Sequence, residues 1–288
     1  MYSSELEWKA NDGIKIYAKC WEPEKTPLGV ICLVHGLGEH SGRYEHVAST
    51  LADAGYATLA FDLRGHGRSG GPRGHTPSFE AFMGDIDELI STAESRFPGI
   101  PLFLYGHSLG GILVLGYALR RKSGLAGVIA TGPGLKSELE QQKFKVALVR
   151  LLGSVVPGLQ LPSGLVPEHI SRDPEVVAAY QSDPLVHDRI SVGFGAELIK
   201  AIRWEYEHAP EFCFPLLIMH GEQDQLGDPQ GSVDFARLCD PQLITLKIWE
   251  GLSHEIHNEP EKDEVLNFLI HWLNDRVTAS STTESSLP

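Results

Sequence analysis

Six short, nearly continuous apolar runs punctuate the chain: "GVICLVHG", "YATLAFD", "PLFLYG", "LAGVIATG", "PLLIMHG" and "ITLKIWEG". Runs this short, rich in β-branched residues and without regularly alternating polar positions, are strands buried on both faces of a parallel sheet. Helical spacing fills the gaps, over roughly residues 43–54, 78–97, 109–121, 229–239 and 260–276. The alternation predicts right-handed βαβ units, and therefore an α/β fold with a mostly parallel, doubly wound sheet. Ahead of the first run, "LEWKANDGIKIYAKCW" carries two alternating segments around Asn11-Asp12-Gly13, an antiparallel hairpin that opens the sheet.

One stretch breaks the rhythm. From about 135 to 205 no good strand appears, only helical or irregular sequence with several prolines. Lying between the runs "LAGVIATG" and "PLLIMHG", it reads as a helical cap inserted over the carboxyl edge of the sheet, with too few residues for an independent core. The expected organisation is a core first part over 1–134, the cap over 135–205, a core second part over 206–277, and a small polar, disordered tail over 278–288.

Sites in such sheets form at the carboxyl ends of strands. "LFLYGHSLGG" places Ser108 directly after one run and directly before a helix-spaced stretch, with Gly106, Gly110 and Gly111 around it. A bare Gly-x-Ser-x-Gly string is a weak signal, and a serine in a structural turn would share it. A sharp strand-to-helix turn that exposes a nucleophile needs those small residues, and the helix N-terminus adds partial positive charge.

A serine hydroxyl requires a base and a group to orient that base. After "PLLIMHG" comes Asp224, with Asp228 as a competitor; after "ITLKIWEG" come His254 and His257. Asp228 precedes Pro229 and suits a helix N-cap, which favours Asp224 as the acid. His254 lies nearer the strand end than His257 and is the favoured base. Oxyanion donors are expected from the backbone N–H groups of Leu109 and of Leu37 in "LVHGLGEHSGRY".

The formal charge is -14 over 288 residues, which opposes a phosphate-backbone partner, and no basic run offsets it. No nucleic-acid partner is expected. "GHGRSG" at 65–70 satisfies GxGxxG but is followed by "GPRGHTP" where a dinucleotide site needs a helix. "HEIH" at 254–257 lacks the metalloprotease spacing, and Cys20, Cys32, Cys213 and Cys239 show no CxxC pairing. Neither metal nor organic cofactor is expected. The N-terminus has acids where a signal peptide is basic, and prolines interrupt the uncharged stretch 151–167. The expected setting is a soluble cytoplasmic protein.

The motifs "HGLGEHSGRYE", "DLRGHGRSGG", "GHSLGG", "YQSDPL", "HGEQDQL" and "EGLSHEIHNE" together resemble the monoacylglycerol lipase family of the α/β-hydrolase superfamily, over about residues 10–275. The resemblance implies the α/β-hydrolase fold and a triad of Ser108, Asp224 and His254. It also implies that Glu39, Arg43, Tyr180 and His257 line the glycerol end of the substrate site, although an Arg43 salt bridge and ordinary loop packing would look the same in sequence.

The expected activity is cleavage of monoacylglycerols to glycerol and fatty acid through an acyl-enzyme. A lysophospholipase or a broad carboxylesterase would use the same triad. A hydrolase-fold protein that only binds a lipid or a partner is a further alternative. The cap stretch "KFKVALVRLLGSVVPGLQL" is largely apolar, and over 136–160 Lys136, Lys143, Lys145 and Arg150 outnumber Glu138 and Glu140. An interfacial lid that touches a membrane or micelle has this character, and so does a cap helix packed on the core.

Overall fold

The computed structural model describes residues 1–122, 124–136 and 152–284. β1 (Tyr2–Lys9) and β2 (Lys15–Glu22) pair antiparallel, Lys9 opposite Lys15, across the Asn11-Asp12-Gly13 turn. Gly13 has φ +84°, the left-handed backbone that such a turn favours. The strands continue as β3 (Gly29–Val34), β4 (Tyr56–Phe61), β5 (Leu102–His107) and β6 (Gly127–Thr131). A separate pair follows, β7 (Gln160–Pro162) and β8 (Arg189–Ser191), and then β9 (Leu216–Gly221) and β10 (Ile244–Trp249).

The main sheet has the order β1-β2-β4-β3-β5-β6-β9-β10. β2 meets β4 antiparallel, and every pair beyond is parallel. Side-chain alternation explains the unbroken apolar runs. In β3, Val30, Cys32 and Val34 face one core, while Ile31 and Leu33 face the other. β5 and β9 divide in the same way, Leu102 and Leu104 against Phe103 and Tyr105, Leu216 and Ile218 against Leu217 and Met219.

The first core is closed by α2 (Phe79–Arg96), α3 (Leu109–Arg121) and α6 (Pro229–Leu238), the second by α1 (Glu45–Asp53) and α7 (Lys262–Glu284). Two further helices, α4 (Pro174–Ser182) and α5 (Val192–His208), lie between β6 and β9.

β6 and β9 are neighbours in the sheet, so the chain leaves the sheet after Thr131 and rejoins it at Leu216. The stretch between differs from the sequence expectation in two ways. First, it contains strands: Gln160 pairs with Ser191 and Pro162 with Arg189. Three-residue strands, one of them ending in proline, are too short to show a period. Second, Phe194, Ala201 and Ile202 of α5 are buried in the same core as α2 and α3, with Phe194 5.3 Å from Phe82. α5 is thus a layer helix, and the part that leaves the layers ends near Ser191. Of the basic residues expected in the cap, Lys143, Lys145 and Arg150 lie outside the described residues. At the other end, α7 runs to Glu284 rather than stopping near 276; "TASSTTE" holds neither Gly nor Pro to end it.

Candidate active site

β3, β5, β9 and β10 are mutually aligned, so the loops after them emerge along one edge. Ser108 lies between β5 and α3 with φ 54° and ψ -113°. Only one other described non-glycine residue, Lys122, has positive φ, and such backbone stores about 1–3 kcal/mol. The glycines permit it. A Cβ on Gly106 would lie 2.1 Å from the Gly110 carbonyl oxygen, and one on Gly110 would lie 2.0 Å from that of Val34. The Ser108 N–H is anchored to the Thr131 carbonyl at 2.9 Å.

His254, in the loop after β10, donates from Nδ1 to Asp224 Oδ2 at 2.6 Å. Asp224, in the loop after β9, also accepts at Oδ1 from the Leu226 and Gly227 N–H groups, at 2.8 and 2.9 Å. Both side chains are buried. Burial pushes the Asp224 carboxyl up, but the charge and hydrogen bonds of His254 and His220 prevail and hold it well below the usual range. Burial likewise pulls His254 down, and the Asp224 carboxylate outweighs it, raising His254 above its ordinary value. Asp228 instead caps α6, accepting the Gln230 N–H at 2.9 Å.

Ser108, His254, Leu37, Glu39 and Tyr180 line one small cavity together with His107, Leu165, Ile170 and Glu255. At about 10 Å³ it holds roughly one water. Leu165 and Tyr180 also line a larger cavity of about 320 Å³, so the two cavities share these side chains. Among the described residues neither the Leu37 nor the Leu109 N–H has a hydrogen-bond partner.

Arg43 is held between two carboxylates. Its Nη1 donates to Glu39 Oε2 at 2.7 Å and to Glu255 Oε1 at 2.6 Å, and its Nη2 donates to Glu255 Oε2 at 2.8 Å. Its guanidinium lies 4.7 Å over the Tyr180 ring. Glu39 Oε1 accepts the Gly36 N–H at 2.6 Å and the Tyr44 hydroxyl at 2.7 Å. Burial acts to raise the Glu39 pKa, but Arg43 dominates and brings it to about 2.

His257 is not brought to the cavity. It is fully buried, stacked 5.0 Å from Tyr44 and set edge-on to His107 at 4.8 Å, with neither ring nitrogen hydrogen-bonded. Burial, with His107 and His46 nearby, pushes its pKa well down, so the ring is a neutral packing element.

Three residues at the site escape a sequence reading. His107 precedes Ser108 and donates to the Thr131 carbonyl at 3.0 Å; burial, then His254, push it down to about 3. Glu255 sits inconspicuously between the two histidines of "HEIH". His220, the last apolar-run position before Gly221, contacts Asp224 Oδ2 at 2.9 Å. Its use depends on the turn after Gly221, which folds Asp224 back onto it four residues later.

Residues 25–261 match the family described as Serine aminopeptidase, S33. An uncharacterised abhydrolase domain-containing protein of Dictyostelium discoideum is 39% identical over 96% of this chain, which spans 30% of that protein's length. A monoacylglycerol lipase of Mycolicibacterium smegmatis is 36% identical, with 94% of this chain and 96% of that protein covered. The crystal structure of Paleococcus ferrophilus monoacylglycerol lipase superposes with a TM-score of 0.82 at 36% identity, over 96% of this chain and 100% of that one. Ordered motifs, fold and relatives agree: the chain belongs to the monoacylglycerol lipase family of the α/β-hydrolase superfamily.

Proposed function

We propose that the protein hydrolyses the carboxylic ester of monoacylglycerols through an acyl-enzyme on Ser108. The observation that carries this reading is the meeting of Ser108, on its strained turn, with His254 at one cavity, Asp224 being bonded behind the imidazole. His254 Nε2 takes the hydroxyl proton as Ser108 Oγ attacks the ester carbonyl. The Leu37 and Leu109 N–H groups stabilise the oxyanion. The imidazolium then gives its proton to the departing glycerol oxygen. Water repeats the sequence on the acyl-enzyme: His254 takes its proton, the acid forms, and Ser108 recovers its hydrogen.

Glu39, Arg43 and Tyr180 are assigned to the glycerol end. Two carboxylates beside one guanidinium give that end a net negative charge, which suits a neutral alcohol better than a phosphate ester. His257 shapes this end from behind. The segment from 135 to Ser191 is read as the cap, with Leu165 and Tyr180 as its contact with the site.

Val155, Val156, Leu159, Leu161 and Val166 stand exposed along that segment, which supports transient contact with a membrane or micelle. No helix among the described residues is long and apolar enough to cross a membrane. The four free cysteines suit a cytoplasmic, membrane-peripheral setting.

The test is a panel of monoacylglycerols of graded chain length, lysophosphatidylcholine and a short nitrophenyl ester, run with wild type and Ser108→Ala. Turnover of monoacylglycerol that survives Ser108→Ala sinks the mechanism. Preference for lysophosphatidylcholine replaces the substrate assignment with the lysophospholipase one.

A further inference from the structure

Asp224 Oδ2 serves two histidines. His254 Nδ1 reaches it at 2.6 Å, and His220 Nε2 reaches it at 2.9 Å. Only His254 faces the Ser108 cavity; His220, at the end of β9, is fully buried. For the neutral ring, the tautomer of His220 follows from its partners. A carboxylate and the Gly227 carbonyl, 3.2 Å away, can only accept, so Nε2 carries the hydrogen. Nδ1 is then the acceptor, and the Ser232 hydroxyl of α6 donates to it at 2.7 Å.

We propose that His220 is a positioning residue for the triad: its Nε2–H, with the tautomer fixed by Ser232, sets the rotation of Asp224 and tempers the basicity of Oδ2 toward His254. The physical reasoning is that two donors on one carboxylate oxygen share its electron density. The more His220 withdraws, the less strongly Asp224 stabilises the His254 imidazolium. Without that second donor the carboxylate would hold His254 as a stronger base, charged at pH values where it must be neutral to accept the serine proton.

The other groups near His254 are Glu255 beside it, His257 three residues on, Glu39 after β3, His107 at the end of β5, and Arg43 beyond Glu39. None of these hydrogen-bonds to Asp224 among the described residues. His220 alone adds a side-chain donor to the oxygen that His254 uses.

The inference rests on the triad reading above. Its test compares His220→Leu, which has no donor, with His220→Gln, whose side-chain amide restores an N–H at the Nε2 position. In His220→Leu the midpoint of the acid limb of kcat/KM should rise by about one pH unit. Its kcat should fall roughly tenfold with KM unchanged, the low end for loss of the outer partner of a functional histidine–carboxylate pair. His220→Gln should return the midpoint to the wild-type value. A folded His220→Leu protein with an unmoved midpoint overturns the proposal, and so does a His220→Gln midpoint displaced as far as that of His220→Leu.

Should His220→Leu fail to fold, Ser232→Ala decides, because it removes only the hydroxyl that fixes the tautomer. Its midpoint should rise by a smaller amount, and an unchanged midpoint again overturns the role. Labelling by a fluorophosphonate reads the triad separately. Wild type that is not labelled at Ser108 sinks the triad reading, whereas labelled wild type with unmoved variant midpoints sinks the role of His220 alone.

Discussion

Glu255, one position after His254, grips the Arg43 guanidinium with both carboxylate oxygens, at 2.6 and 2.8 Å. Asn258 Nδ2 donates to the same Glu255 at 2.7 Å, and the Glu255 N–H bonds to the Ile170 carbonyl at 2.7 Å. The loop that carries His254 is thereby tied both to the loop after β3 and to the segment that holds Ile170. Glu255→Ala takes away two of the three hydrogen bonds on the Arg43 guanidinium and leaves Glu39 as its partner, so it should destabilise the fold by about 2–3 kcal/mol, read by urea unfolding. Glu255→Gln keeps the shape and removes the charge. It should narrow the preference for monoacylglycerol over its phosphate-bearing analogue by about tenfold, measured as the ratio of kcat/KM values. An unchanged ratio would separate the charge of this pair from selectivity.

The pH dependence follows from the two buried partners. In the proposed mechanism His254 acts as base only when neutral, and Asp224 raises its pKa above the ordinary histidine value of 6.5. kcat/KM should therefore fall as pH drops through a midpoint above 6.5. Asp224, held well below the carboxylate range, stays ionised throughout and adds no second step. Asp224→Asn keeps the size but donates where it should accept, and kcat should drop by about 10⁴. A pH–rate profile with its acid midpoint below the ordinary histidine value would contradict this account.

What could be read from the sequence depended on whether a residue's neighbours in the chain decide its fate. Val30, Ile31, Cys32, Leu33 and Val34 were legible because both faces of a central strand are covered, so every position is apolar. Ser108 was legible because a strand end, a turn of glycines and a helix start meet within a few residues. Partners set by distant chain were not. Arg43 and Glu255 are 212 positions apart. His220 has the pattern of a buried strand position, and its hydrogen bond to Asp224 depends on the turn at Gly221. The resemblance placed His257 among the polar residues of the glycerol end, and no pattern in the sequence showed that its ring stacks on Tyr44, from the loop after β3. β7 and β8 were hidden by their length.

Glu205 of α5 is buried with neither carboxyl oxygen hydrogen-bonded. Arg120 is close enough to matter electrostatically, yet its Nη1 donates to the Gly116 carbonyl and its guanidinium lies 3.7 Å over Trp204. Burial raises the Glu205 pKa well above 4.5. The folded protein thus retains a proton that the unfolded chain releases. The contribution is fully present below about 4.5 and is lost as pH rises from there toward the folded-state value, by about 1.4 kcal/mol per pH unit in that window. Glu205→Met removes the proton linkage. Its gain in stability over wild type should grow from pH 5 to pH 8, by urea unfolding at each pH; a pH-independent difference would mean that Glu205 is ionised in the folded state.

Leu165 and Tyr180 line both the 10 Å³ cavity at Ser108 and the 320 Å³ cavity. An acyl chain needs more room than the smaller cavity offers, and the larger one shares these side chains. Shortening the shared lining with Leu165→Ala should raise kcat/KM for long-chain monoacylglycerols by severalfold and leave a short nitrophenyl ester nearly unchanged. Equal effects on both esters would show that Leu165 does not limit access.

The exposed apolar side chains between Val155 and Val166 offer the last test. Val155 is 70% exposed and Leu161 42%, and Val156, Leu159 and Val166 extend the same segment. Water penalises such surface at about 25 cal/mol for each Å² left uncovered, so insertion into the boundary of a lipid phase is favourable where the segment can reach it. Val155→Ser combined with Leu161→Ser removes apolar surface without touching the residues around Ser108. Turnover of a soluble short-chain ester should stay at the wild-type level, while binding to neutral phosphatidylcholine vesicles by co-sedimentation should weaken by about tenfold. Vesicle binding that is unchanged in the double variant would remove this segment from the interface.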